Sequence, residues 1–164
     1  MDVDADFAGG IGVLNIDEIQ TGICRTDRMF AVEAAVIEPD LLLTAKSFAD
    51  GLPLSAVTGR AAGGRPRRNL RVACAAALAV IAAIERDDVL TRARRIGEQV
   101  LKSFQAWQGR YPLIGDVRGV GAMVALEFVE DRLNRAPASE ATARSHRIAY
   151  ENGLVPMKAG TTTA

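Results

Sequence analysis

Two short apolar runs, each closed by a charged residue, constrain this chain more than anything else in it. Residues 11–16, IGVLNI, lie between glycines and the pair Asp17–Glu18. Residues 41–43, LLL, follow Pro39–Asp40 and lead through Thr44 and Ala45 to Lys46. Apolar segments of this length are the pattern of strands covered on both faces, and such strands belong to parallel sheets with helices packed against them. The pair predicts an α/β fold in which Asp17 and Lys46 stand at strand ends. LSAVTGR, residues 54–60, reads as a third strand.

After Gly63 and Gly64 the pattern becomes helical. ACAAALAVIAAIE, residues 73–85, is rich in alanine, the strongest helix former. VLTRARRIGEQVLKSFQAWQ, residues 89–108, sets Val89, Ala93, Ile96, Val100, Leu101 and Phe104 on one helical stripe. Beyond Gly109, glycine punctuation and the alternation of Met123, Ala125 and Glu127 against Val124, Leu126 and Phe128 predict a strand in a separate, smaller domain. The expected division is therefore 11–108 and 109–164. Residues 138–152 read as a helix, and LVPMK, residues 154–158, as a last strand. His146, alone on a polar helix, is expected to be solvated.

Composition narrows the partners. Lys plus Arg and Asp plus Glu number 20 each, a formal balance that recruits neither nucleic acid nor an anionic membrane. Cys24 and Cys74 are far apart, have no metal-ligand spacing and suit a reducing compartment, so a cytoplasmic protein without a metal is expected. Residues 72–84 form the longest apolar run and fall short of the roughly 20 needed to cross a bilayer, and MDVDAD is no signal peptide. Neither cysteine has a neighbouring base that would favour nucleophilic chemistry.

In open α/β sheets ligands collect at the carboxyl ends of strands, which makes Asp17 and Lys46 candidates for one site. A desolvated lysine offers a free amine for Schiff-base chemistry with an aldehyde cofactor, and a nearby carboxylate can keep a pyridine nitrogen protonated. That is the minimum set for pyridoxal 5'-phosphate (PLP). On spacing alone, the same residues also fit an exposed strand-end lysine and a helix-capping aspartate.

The blocks IDEIQTGICRTD, IEPD and TAKSFADGLPLSA, in this order and spacing, resemble the core of the class III pyridoxal-phosphate aminotransferases, the family of 4-aminobutyrate, acetylornithine and ornithine aminotransferases. The likeness continues through ACAAALAVIAAIE and YPLIGDVRGVGAMVALEF. It implies part of a fold-type-I, aspartate-aminotransferase-like large domain, with part of the small α+β C-terminal domain. It also implies amino transfer from an amino acid or ω-amino acid to a 2-oxo acid, within a homodimer. Carried over by position, Lys46 is the Schiff-base and proton-shuttling lysine. Asp17 pairs with the pyridinium nitrogen, Ile19 packs on one ring face, and Gln20 bonds near the ring 3-oxygen. Arg25 matches a motif arginine read as structural.

The resemblance also exposes departures. Cys24 and Asp27 replace family glycines, so the loop after Gly22 is expected to need a different backbone. The family's phosphate-binding turn and ring-stacking aromatic have no counterpart here. RPRRNLR, residues 65–71, stands where the family has a Gly-Gly-Thr-Tyr segment whose threonine contacts phosphate across the dimer. A one-base reading-frame slip would account for it. The alternative expectation is thus a catalytically inactive, truncated or frameshifted remnant; a racemase or decarboxylase on the same fold is a third reading.

Overall fold

The structure, a computed structural model, describes residues 13–59 and 71–159. The chain separates into two compact units, Met1–Arg94 and Arg95–Ala164.

In the first unit, β1 (Asn15–Asp17) pairs in parallel with β2 (Leu41–Thr44), and β2 pairs antiparallel with β3 (Ala56–Gly59). The order is β1-β2-β3. β1 is shorter than its apolar run, part of which, Ile11 and Gly12, lies outside the described residues, while β2 covers the run 41–43 and adds Thr44. α1 (Arg71–Arg86) buries Ala73, Ala77 and Ile84, positions four and seven apart that share a helix face. That face packs against the 3-10 turn Lys46–Ala49. Ile23, Cys24 and Ile84 form the core, flanked by Phe30, Phe48 and Val80. The arginine-rich segment lies outside the described residues apart from Arg71, which opens α1, and so does the frame-slip reading attached to it.

Cys24 and Asp27 do not escape the backbone that favours glycine. Their φ values are 73° and 61°, both left-handed. Asp27 is one of the residue types that tolerate this region, and it also accepts a hydrogen bond at 2.9 Å from Arg94. Val36 is harder to accommodate. It ends the 3-10 turn Ala31–Ala35 at φ 54°, and a β-branched side chain is strained there. Because Val36 is 93% exposed, its side chain repays little of that strain by packing. Val36→Gly or Val36→Asn is expected to stabilise the fold by up to about 1 kcal/mol, read as a higher urea midpoint at unchanged slope.

The second unit holds most of α2 (Val89–Arg110), the hairpin of β4 (Ile114–Val120) and β5 (Met123–Phe128), and α3 (Ser139–Glu151). β5 alternates between exposed and half-buried residues as its sequence predicts. The hairpin closes through Gly121 and Ala122, since Val120 pairs with Met123; Gly121 has φ 55°, the positive value that primed hairpin turns require.

The stripe on α2 differs at one place: Ile96 is 51% exposed, while Gly97 is buried. A Cβ on Gly97 would collide with the Gly121 carbonyl oxygen, so hairpin backbone occupies the space a side chain would need.

Two further expectations are corrected. Leu154–Lys158 forms no strand, and Leu154, Val155 and Met157 are exposed. Pro156 supplies no N–H to a ladder, and neither described hairpin strand pairs with this segment. Instead its carbonyl meets His146 Nε2 at 3.0 Å, so His146 is half-buried and bonded. Among the described residues no helix is long and apolar enough to cross a membrane.

Candidate functional site

Parallel pairing sets the site's frame. The register Asn15↔Leu41, Ile16↔Leu42, Asp17↔Leu43 brings the carboxyl ends of β1 and β2 side by side. Asp17 is the last residue of β1, and Lys46 follows two residues after the end of β2. Strand alternation separates the faces: Ile16 and Thr44 are buried, while Asp17 is exposed. Continued alternation would carry Lys46 toward the buried face of Thr44. Ala45 is still extended, but Lys46 turns left-handed at φ 53° and begins a 3-10 turn, and it is exposed. A left-handed lysine is uncommon and costs conformational energy, and such strain concentrates at functional sites.

The segment after β1 is tightly tied. Asp17 Oδ1 accepts the Ile19 N–H at 2.9 Å, which leaves Oδ2 without a partner among the described residues. Ile19 is half-buried and Gln20 exposed. Gly22 donates its N–H to the Glu18 carbonyl at 2.9 Å, and a Cβ there would meet that same oxygen at 2.9 Å. The Ser47 hydroxyl donates to the Gly22 carbonyl at 3.0 Å, linking the turn that begins with Lys46 to the segment that begins with Asp17.

One residue of this segment carries a role that reading the motif position by position leaves out. Glu18 is 1% exposed, and its carboxylate accepts the Val32 N–H at 2.7 Å on Oε1 and the Thr21 hydroxyl on Oε2. Alternation from buried Ile16 would have flagged it, because the period of two places Glu18 on the inward face.

Burial, with the Glu33 charge second, pushes the Cys24 thiol up, which disfavours the reactive thiolate. Thr26 Oγ1 is buried without a hydrogen-bond partner among the described residues. Arg25 is exposed. Among the described residues no three His, Cys, Asp or Glu side chains gather as a metal site.

The donor set suits a protonated pyridine ring bearing an aldehyde. It offers a carboxylate with one oxygen unpartnered among the described residues, a half-buried branched hydrocarbon two residues on, and a primary amine two residues past the end of the adjacent strand.

Comparison with known proteins bears on that reading. Residues 11–164 match the family described as aminotransferase class-III. The 4-aminobutyrate aminotransferase of Mycobacterium bovis is 44% identical over 161 residues, covering 88% of this chain and 34% of that protein. The 5-aminovalerate aminotransferase of Pseudomonas putida is 39% identical over 160 residues, covering 92% of this chain and 37% of that protein. Among solved structures, a Bacillus anthracis aminotransferase superposes with a TM-score of 0.77 at 28% identity, over 87% of this chain and 36% of that one. An omega transaminase of Pseudomonas jessenii, solved in complex with PMP, superposes at 0.79 and 25% identity, again over 87% and 36%. The chain spans about a third of the length of the curated relatives it matches.

Proposed function

Because this chain belongs to the aminotransferase class-III family, we propose that it carries the lysine-bearing part of a pyridoxal-phosphate site that moves an amino group from an amino acid or ω-amino acid to a 2-oxo acid. The observation that carries this reading is the parallel register of β1 and β2, which sets Asp17 beside Leu43, three residues before Lys46. In the same proposal, residues 11–108 belong to the cofactor-binding large domain and 109–164 to the small one, and the working assembly is a homodimer.

Bound at these strand ends, pyridoxal phosphate supplies an electron sink for the carbon that carries the transferred amine. The residues do the rest. Asp17 Oδ2 accepts the hydrogen bond of the pyridinium N–H and holds that proton in place, while Oδ1 stays anchored to Ile19. Ile19 lays its hydrocarbon against one ring face and excludes water from it, and Gln20 bonds near the ring 3-oxygen. Lys46 Nζ takes a proton from the amine-bearing carbon of the donor and returns one to complete the transfer.

The test is cofactor binding followed by donor addition. The purified chain is expected to develop a visible absorbance band with pyridoxal phosphate, and an ω-amino acid is expected to convert that band, with a 2-oxo acid restoring it. A folded chain that gives no band contradicts the proposal. Asp17→Ala is expected to weaken cofactor binding about ten- to a hundredfold, the worth of one charge-assisted hydrogen bond, measured by absorbance titration.

A further inference from the structure

Glu18 stands out among the described buried groups because, among the described residues, it forms no salt bridge. A carboxylate removed from water is costly unless its lone pairs are satisfied, and Glu18 has a backbone N–H from Val32 and a hydroxyl from Thr21. Its main chain is engaged as well: its N–H donates to the Leu43 carbonyl at 2.9 Å, extending the β1–β2 ladder, and its carbonyl accepts from Gly22. Gly22 in turn accepts from Ser47, the neighbour of Lys46. One residue therefore touches both halves of the candidate site, through Asp17 on one side and through Gly22 and Ser47 on the other.

We infer that Glu18 is a positioning residue: its buried carboxylate pins the Asp17–Gly22 segment, and through the Gly22–Ser47 bond it fixes the spacing between Asp17 and Lys46. This rests on the cofactor reading above. The carboxylate acts here through its acceptor geometry rather than through charge. In Glu18→Gln the amide oxygen still accepts from Val32, and the amide NH2 donates to the Thr21 hydroxyl, so the pin survives. In Glu18→Ala both contacts disappear and the Val32 N–H is left buried without a partner.

The experiment compares wild type, Glu18→Ala, Glu18→Gln and Thr21→Val by two readouts. The first is backbone amide exchange on the cofactor-free protein. Glu18→Ala is expected to speed exchange about tenfold at Phe48 and Asp50, in the turn that follows Lys46, as well as at Gly22 and Val32, with α1 unchanged. The second is titration with pyridoxal phosphate, where Glu18→Ala is expected to bind about tenfold more weakly and Glu18→Gln to restore wild-type affinity. Thr21→Val removes only the hydroxyl and carries the same test, with a smaller loosening, should the alanine variant not fold.

Exchange that changes around Thr21 and Val32 but not at Phe48 or Asp50 overturns the inference, since Glu18 then only supports its own loop. So does unchanged affinity in a folded Glu18→Ala protein, or a Glu18→Gln protein as weak as alanine. A wild-type chain that binds no cofactor is a separate result: it removes the cofactor reading itself, and the positioning role with it.

Discussion

Lys46→Ala is expected to abolish the visible absorbance that pyridoxal phosphate is proposed to develop with the wild-type chain, while leaving the far-ultraviolet circular dichroism and the unfolding midpoint essentially where they were. The two halves of this expectation have different origins. On the proposed reading, removing the amine leaves the cofactor aldehyde without the nucleophile that follows β2, the strand whose Leu43 pairs with Asp17. Stability is spared because Lys46 is exposed, and its replacement neither opens a cavity nor strands a buried partner. Alanine keeps the left-handed strain at φ 53° and so does not alter the turn's backbone cost appreciably. Equal absorbance in wild type and variant would mean that the cofactor sits on some other amine.

The second large effect is on stability. Gly97→Ala is expected to cost the second unit about 3 kcal/mol or more, because the new methyl group would collide with the Gly121 carbonyl oxygen. Neither side yields cheaply: the helix backbone carries the methyl, and the obstacle is main chain in the turn between β4 and β5. The chain's single tryptophan, Trp107, lies on the same helix and packs near Phe104 with ring centroids 5.2 Å apart, so its fluorescence reports the transition. Gly109, also on α2, has nothing within 4 Å of a built Cβ. Gly109→Ala is accordingly expected to be neutral or to stabilise by up to about 1 kcal/mol through helix propensity. Similar losses for the two alanine variants would contradict the close approach at Gly97.

The contrast between these glycines shows where reading the sequence stops. Hydropathy marks Ile96 for the core and passes over Gly97, because a residue without a side chain gives no apolar signal; the hairpin backbone that selects glycine comes from more than twenty positions away. The strand ends were more legible. The runs before Asp17 and Lys46 suggest strands of a parallel sheet, and β1 and β2 do pair in parallel, although β3 joins β2 antiparallel and β1 buries only Ile16. The strand-end position and the motif both single out Lys46, yet strand alternation gives no reason to expect its left-handed backbone. Leu154–Lys158 misled for the opposite reason: apolar residues suit a strand, yet a strand exists only where another offers its edge, and Pro156 weakens the offer. Glu18 falls on the inward face in the alternation that begins at Ile16, so its burial is readable from the sequence.

The claim on which the functional account depends is that the amine at the end of β2, and no other, meets the cofactor. Incubation with pyridoxal phosphate, borohydride reduction and peptide mass mapping of the three lysines, Lys46, Lys102 and Lys158, tests it directly. The account predicts the added cofactor mass on the Lys46 peptide, near one per chain, with Lys102 and Lys158 unlabelled. Label spread evenly over the three, or absent from Lys46, would contradict it.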